Sequence, residues 1–196
     1  MPALRPALFL DRDGVIIENR ADYVKGVDEV RFIPGALEAL ARLAHSALRI
    51  VVVTNQSAVG RGLLTLASLE TINAHLLAQV AAASGRIDGV YVCPHRPDEG
   101  CDCRKPAPGL LQRAARDLGI DLAASVMIGD AITDMLAAQA VGARPILVRT
   151  GLGATQELSH LGLPQVLRVP DLTAAIDRLL AEDPWLTKTP PSGGGV

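Results

Sequence analysis

Several short stretches bring chemically capable side chains to the ends of apolar runs. The stretch LFLDRDGVI, Leu8 to Ile16, drives an apolar run into Asp11 and Asp13, with Arg12 between them and Gly14 behind. RIVVVTNQS ends on Thr54 and is followed by the amides and hydroxyl of Asn55, Gln56 and Ser57. CRKPAPG carries Arg104 and Lys105, and VMIGDAITD carries Asp130 and, one helical turn on, Asp134. Each stretch alone has a plain reading as a turn, a helix cap or a surface pair. Together they place Asp, Thr, Lys and Asp in turn after apolar runs, and that set suits phosphoryl transfer. Carboxylates of Asp11 and Asp130 can hold Mg²⁺, a hard cation that takes oxygen ligands. A carboxylate can also attack phosphorus and form an aspartyl-phosphate. A hydroxyl and an ammonium, Thr54 and Lys105, would offset charge on the transferring oxygens.

A second cluster is of another kind. CPHRPDEGCDC offers Cys93, His95, Cys101 and Cys103, which gathers all three cysteines and one of the four histidines. Soft thiolates with an imidazole fit tetrahedral Zn²⁺, and four protein ligands leave no open position, so the site would be structural. The C-x-H and C-x-C spacings differ from the more usual C-x-x-C. The loop runs straight into Arg104 and Lys105, so a bound metal would order a polar, Pro- and Gly-rich stretch and set the lysine. His45, His75 and His160 fall in helical or loop patterns and read as ordinary residues.

The elements that must position these groups come from the apolar pattern. Runs at Ala7–Leu10, Arg49–Val53, Gly89–Val92, Val126–Ile128, Pro145–Val148 and Gln165–Val169 are nearly continuous, as in strands buried on both faces. Between them lie Ala- and Leu-rich helical patterns at Gly35–Leu43, Ser68–Ala83, Gly109–Leu118, Thr133–Val141 and Leu172–Ala181, with Pro34 near one start and Gly119 and Gly142 near two ends. The alternation predicts an α/β fold, a Rossmann-like three-layer sandwich on a mostly parallel sheet. Ligands in such sheets lie outside the carboxyl ends of the strands, where Asp11, Thr54 and Asp130 fall. The pattern is expected to make one domain over residues 1–183, with the cysteine loop at 93–103 and a flexible tail at 184–196 ending in PPSGGGV.

At 196 residues the chain can bury a core, yet only 3% of it is aromatic, so Ala, Val, Leu and Ile must fill that core. A formal net charge of −2 gives no reason to expect nucleic acid or an anionic membrane as partner. The absence of a signal-peptide pattern or a membrane-length apolar run predicts a cytoplasmic protein, expected to be a monomer.

DRDG, TNQS, RKP and GDxxxD, in this order, resemble the four motifs of the haloacid dehalogenase-like phosphatases. The resemblance implies Asp11 as nucleophile and Asp13 as general acid and then base. It implies Thr54 and Lys105 as holders of the phosphoryl group, and Mg²⁺ on Asp11, Asp130 and the main-chain carbonyl of Asp13. The cysteine loop ahead of the lysine, with FIPGALEAL, VVVTNQSAVGRG, CDCRKPAPG and VRTG, is similar to the heptose 1,7-bisphosphate 7-phosphatase branch, which shares its loop with histidinol-phosphate phosphatases. That branch implies a small phosphorylated sugar as substrate and no large cap domain. Asn19, Arg20 and Tyr23 would line the approach, and Asn55, Gln56, Ser57 and Arg104 would touch the substrate. Arg104 is suited to bidentate capture of a second phosphate. Two positions depart from the pattern: Val15, where many members carry Thr, and Ala131, where members carry Lys. The rival readings are a histidinol-phosphate phosphatase, a receiver-type phosphoacceptor domain and a non-catalytic zinc protein. A receiver would present its acidic pair, then a separate phosphoacceptor Asp, then Thr and Lys, whereas here the last acidic group follows the lysine.

Overall fold

The computed structural model describes residues 4–156 and 166–182. The expected tail, His160 and the first residue of the Gln165–Val169 run lie outside them. Six strands, β1 (Ala7–Leu10), β2 (Arg49–Asn55), β3 (Gly89–Cys93), β4 (Val126–Gly129), β5 (Arg144–Val148) and β6 (Leu167–Val169), form one sheet in the order β3-β2-β1-β4-β5-β6. Every neighbouring pair is parallel. Parallel neighbours need crossover connections, and the helices α1 (Ala36–Ala41), α2 (Ser57–Gly60), α3 (Leu66–Ala82), α4 (Gly109–Leu118), α5 (Ile132–Ala140) and α6 (Leu172–Glu182) lie in them or after the last strand. The chain builds outward from β1 to β3, then returns to the other side of β1 at β4. The strand order thus reverses beside β1, and the crevice outside the strand ends at that point is the expected ligand site. A receiver-type sheet has the order 2-1-3-4-5 and a different switch point.

The strands explain their own sequences. Leu8, Leu10, Ile50, Val52, Ile128, Ile146 and Val148 face the layer made by α1, α3 and α6. Ala7, Phe9, Val51, Val53 and Met127 face the layer of α4 and α5. Both faces are covered, so alternation in direction produces no alternation in polarity, and the runs read as continuous. Helix ends follow local chemistry. Thr65 caps α3 by accepting the Ser68 N–H at 3.0 Å, and Gly119 ends α4 in the left-handed region at φ 65°. Among the described residues no helix is long and apolar enough to cross a membrane.

Two local expectations change. The second strand does not stop at Thr54. It continues through Asn55, because β3 runs on beside it and pairs Thr54 and Asn55 with Val92 and Cys93. The Arg104–Pro108 segment is a compact turn rather than an extended lead-in, with the Ala107 N–H on the Arg104 carbonyl at 2.8 Å. Gly109 permits this: a Cβ there would sit 2.4 Å from the Asp102 carbonyl oxygen.

One buried side chain ties the central strand to the entry of β4. Ser125 Oγ accepts the Ala7 N–H at 2.9 Å and donates to the Asp121 carbonyl. Ser125→Ala orphans a buried donor, so it should destabilise the fold by about 1–3 kcal/mol. Denaturant unfolding should show a lower midpoint with unchanged slope; an unmoved midpoint would show that the tie adds nothing.

Candidate active site

Three strand ends and one loop converge at the switch point. Asp11 follows β1 directly, its N–H bonded to the Ile128 carbonyl of β4 at 3.0 Å. Its Oδ1 accepts the Arg12 N–H at 2.7 Å and lies 3.1 Å from Lys105 Nζ, which leaves Oδ2 as the freer oxygen. Lys105 is buried, only 2% exposed. Its ammonium is surrounded by the Val53 carbonyl at 2.7 Å, Asp11, and Asp134 Oδ1 at 2.6 Å. Asn55 holds the lysine main chain from both sides, accepting its N–H at 3.1 Å and donating to its carbonyl at 3.0 Å. The unusual polar end of β2 therefore places the lysine.

Asp11, Asp130 and Asp134 bring carboxylate oxygens within 4.8 Å of one another. Burial pushes the Asp11 carboxyl up to about 7, against the pull of Lys105 and with added repulsion from Asp134, Asp130 and Asp13. Asp130 is likewise raised to about 7, by burial first, opposed by the Leu152 N–H and assisted by Asp134. Burial disfavours the charge on Lys105, but Asp11 and Asp134 outweigh it and raise its pKa. One ammonium among three carboxylates leaves surplus negative charge on hard oxygen donors, which is the condition a divalent cation such as Mg²⁺ relieves.

The loop after β5 fixes Asp130. Its Oδ2 accepts the Leu152 N–H at 2.8 Å, and Thr150 Oγ1 donates to the Gly14 carbonyl. Gly14 (φ 81°) and Gly151 (φ 56°) close on the carboxylate from two sides, and a Cβ on either would lie 2.1 Å from Asp130 Oδ2. Glycine is required at both by space and by backbone conformation.

Asp13 stands outside that set of three carboxylates. Its side chain, 22% exposed, receives the guanidinium of Arg12, with Nε 3.1 Å from Oδ2 and Nη2 3.1 Å from Oδ1 and 2.9 Å from Oδ2. Gln56 Nε2 bridges Asp13 Oδ2 at 2.7 Å and Thr54 Oγ1 at 2.8 Å. Thr54 Oγ1 accepts from Gln56, so its own hydrogen is free to point at a ligand oxygen.

The substrate-side expectations fall out unevenly. Asn55 and Gln56 are committed to Lys105, Asp13 and Thr54, and Ser57 is buried at the start of α2. Arg104 donates to the His95 carbonyl at 3.2 Å and lines a cavity of about 430 Å³ with Arg96, Lys105 and Thr133. Asn19 lines a cavity of about 350 Å³ with Thr150 and Gly151, beside the Asp130 loop. Arg20 is exposed and engaged by Asp22 at 3.2 Å, Glu29 at 3.5 Å and the Tyr23 carbonyl. Tyr23, at φ 67°, packs against the core. Asp134 belongs to the cluster although only its place in GDxxxD marked it. Arg12 was visible only as a basic residue between two acids, and Asn73, which accepts from it, carried no signal.

The cysteine loop assembles as its donor types require. Cys93 Sγ lies 3.6 Å from His95 Nδ1 and 3.6 Å from Cys101 Sγ; Cys103 Sγ lies 3.2 Å from His95 Nδ1 and 3.5 Å from Cys101 Sγ. A tetrahedral Zn²⁺ with Zn–S of about 2.3 Å and Zn–N of about 2.0–2.1 Å would hold these donors about 3.5–3.8 Å apart, and the gathered set at 3.2–3.6 Å is close to that spacing. Burial and the neighbouring sulfurs push the Cys103 thiol up to about 12, because gathered thiolates repel when no cation is shared.

Known proteins are similar to this chain. A HAD-hydrolase-like family model matches residues 102–175. The D-glycero-β-D-manno-heptose-1,7-bisphosphate 7-phosphatase of Pseudomonas aeruginosa is 44% identical over 177 residues, 90% of this chain and 95% of its own. That of Escherichia coli K12 is 41% identical, covering 88% and 94%. The crystal structure of the D,D-heptose 1,7-bisphosphate phosphatase of B. bronchiseptica, complexed with magnesium and phosphate, is 40% identical, with a TM-score of 0.85 over 90% of this chain and 99% of that one. With such relatives along nearly its whole length, and with the carboxylates, threonine and lysine met at one switch point, the chain belongs to the haloacid dehalogenase-like phosphatases and is a phosphoric monoester hydrolase.

Proposed function

We propose that this phosphatase removes the 7-phosphate of D-glycero-D-manno-heptose 1,7-bisphosphate through an aspartyl-phosphate on Asp11. The observation that carries the substrate is the 44% identity, across 95% of its length, to a relative named for that reaction. The enzyme works as a cytoplasmic monomer, built as one domain with the cysteine loop as its insert.

The residues divide the work. Asp11 attacks phosphorus, forming the acyl phosphate as the bond to the sugar oxygen breaks. Asp13 gives its proton to that oxygen. Asp13, now a carboxylate, takes a proton from water, and the water attacks phosphorus and frees Asp11 and inorganic phosphate. Thr54 Oγ–H and Lys105 Nζ hold the phosphoryl oxygens, and Asn55 fixes the lysine for that task. Mg²⁺ held by Asp11, Asp130 and the Asp13 carbonyl would supply the positive charge that offsets the phosphoryl oxygens. Zn²⁺ on Cys93, His95, Cys101 and Cys103 would order the loop that ends on Arg104 and Lys105. Arg104, at the rim of its cationic cavity, receives the second phosphate, with Asn19, Arg20 and Tyr23 on the approach and Ser57 beside the phosphoryl site.

Three outcomes test this. Asp11→Asn should abolish phosphate release while the protein stays folded; substantial activity in folded protein would remove the covalent role. The same variant has a stability signature. The Asp11 carboxyl is raised from 3.8 to about 7 in the fold, so its contribution favours the native state at low pH and is lost as pH rises through about 7. Metal-free wild type should therefore melt at falling temperature over that window, and Asp11→Asn should fall less and melt higher at pH about 8. If the two melt alike across the window, the repulsive cluster is not what the geometry implies.

Elemental analysis should find about one zinc per chain. Cys101→Ser should lose that zinc, with activity and protease resistance of the 93–105 segment falling together even in excess Mg²⁺. Wild-type behaviour in that variant would leave the cysteines as ordinary loop residues. Arg104→Ala should lower kcat/KM on the heptose bisphosphate about 10–100-fold, the worth of a charge-assisted contact, and on a small monophosphate far less. Equal losses would show that Arg104 reads no second anion.

A further inference from the structure

Arg12 is among the largest fully buried side chains of the protein, at 1% exposure, and phosphoryl transfer as described makes no use of it. All three of its guanidinium nitrogens are engaged. Nε and Nη2 form the fork on Asp13, and Nη1 donates to Asn73 Oδ1 at 3.0 Å. Asn73 stands on α3, next to Ile72, which is buried in the core. The longest helix among the described residues thus reaches the loop after β1 through one side chain, and what it reaches is the residue that holds Asp13.

The contacts on Asp13 are unequal. Oδ2 accepts from Gln56 at 2.7 Å and Arg12 Nε at 3.1 Å, which occupies both of its lone pairs. Among the described residues Oδ1 accepts only from Arg12 Nη2, at 3.1 Å, and keeps one lone pair. A proton exchanged with the leaving oxygen, and later with water, therefore has one place to reside. A lysine in place of Arg12 would supply charge but not the planar fork that sets the carboxylate plane.

We propose that Arg12 is a positioning residue that orients the Asp13 carboxylate so that Oδ1 carries the exchanged proton, and that Asn73 on α3 holds Arg12 in that orientation. This rests on the reading of Asp13 as the general acid. The proposal binds the alignment of the acid to the seating of α3, by geometry and without any change in which groups touch the substrate.

The test uses leaving-group dependence. An aryl phosphate with a good leaving group needs no proton in the phosphorylation step, whereas an alkyl phosphate does, and kcat/KM reports that step. Asn73 is half-buried on a helix surface, so Asn73→Ala is expected to fold; Arg12→Lys is the second variant. With Mg²⁺ saturating, both should lose kcat/KM on an alkyl phosphate such as glycerol phosphate by about 10-fold, part of the 10²–10⁴ a general acid contributes. Both should stay within about 2-fold of wild type on 4-nitrophenyl phosphate. Asn73→Asp, which keeps the acceptor, should restore the alkyl rate. Losses of equal size on the two substrates, no loss on either, or failure of Asn73→Asp to restore would each overturn the proposal. Asp13→Asn separates the two layers. If it shows the leaving-group dependence and Asn73→Ala does not, only the positioning role fails; if it shows none, the acid assignment fails and the proposal with it.

Discussion

The structure of the site depends on one buried ammonium. Lys105 Nζ sits among the Val53 carbonyl, Asp11 and Asp134, on a side chain only 1% exposed. An ammonium taken out of water without partners would lose its proton or leave the interior. The carboxylates keep it charged, and it in turn makes their crowding tolerable. That mutual dependence dictates what surrounds it. The main chain of Lys105 must be held, and Asn55 holds it by both of its amide ends. β2 must extend two polar residues past its apolar run, which β3 supports by pairing with them. The segment carrying the lysine reaches the site from the end of β3, through the cysteine loop.

The arrangement is short of positive charge by design of its composition. Asp11, Asp130 and Asp134 share a single lysine, and the loop after β5 leaves Asp130 no room to swing away, since Gly14 and Gly151 press on it. A protein built for stability alone would have replaced one of these carboxylates or added a second cation. The repulsion is local and a divalent ion would relieve it, so affinity for the cation and instability without it would have one origin.

Much of this was readable in the residues. Six apolar runs predicted six strands, and five Ala/Leu patterns predicted five of the helices, because full burial of a parallel sheet and amphipathic covering helices leave unmistakable periods. Asp11, Thr54 and Asp130 were readable because they end those apolar runs, and Lys105, on the loop after the cysteines, because it falls in order between Thr54 and Asp130. What was not readable was of another kind. Asn55 and Gln56 look like donors for a phosphate, yet the fold directs their amides at Lys105, Asp13 and Thr54, and only tertiary geometry distinguishes a residue that touches a ligand from one that holds its neighbour. Asn73 lies 61 positions from Arg12 on a helix whose spacing already accounts for it as surface. The role of VRTG is equally hidden: Thr150 and Gly151 act on Gly14 and Asp130, groups distant in sequence that meet only because β5 lies beside β4.

Asp11 and Asp13 stand two residues apart and are given different surroundings, which suits the separate roles of nucleophile and acid proposed for them. On an uninterrupted strand the two side chains would point the same way and meet the same field. Gly14, in its left-handed conformation, ends that possibility. The chain turns back, with the Ile16 and Ile17 N–H groups both on the Arg12 carbonyl, and Arg12 is drawn beneath the turn. Asp11 is left in the crowded cluster with a shared lysine. Asp13 instead takes the Arg12 guanidinium and shares the Gln56 amide with Thr54. Two carboxylates of one chemical type thereby acquire different surroundings, as two roles would require. The residue between them, which looks from the sequence like an interruption of an acidic pair, gives its N–H to one and its guanidinium to the other.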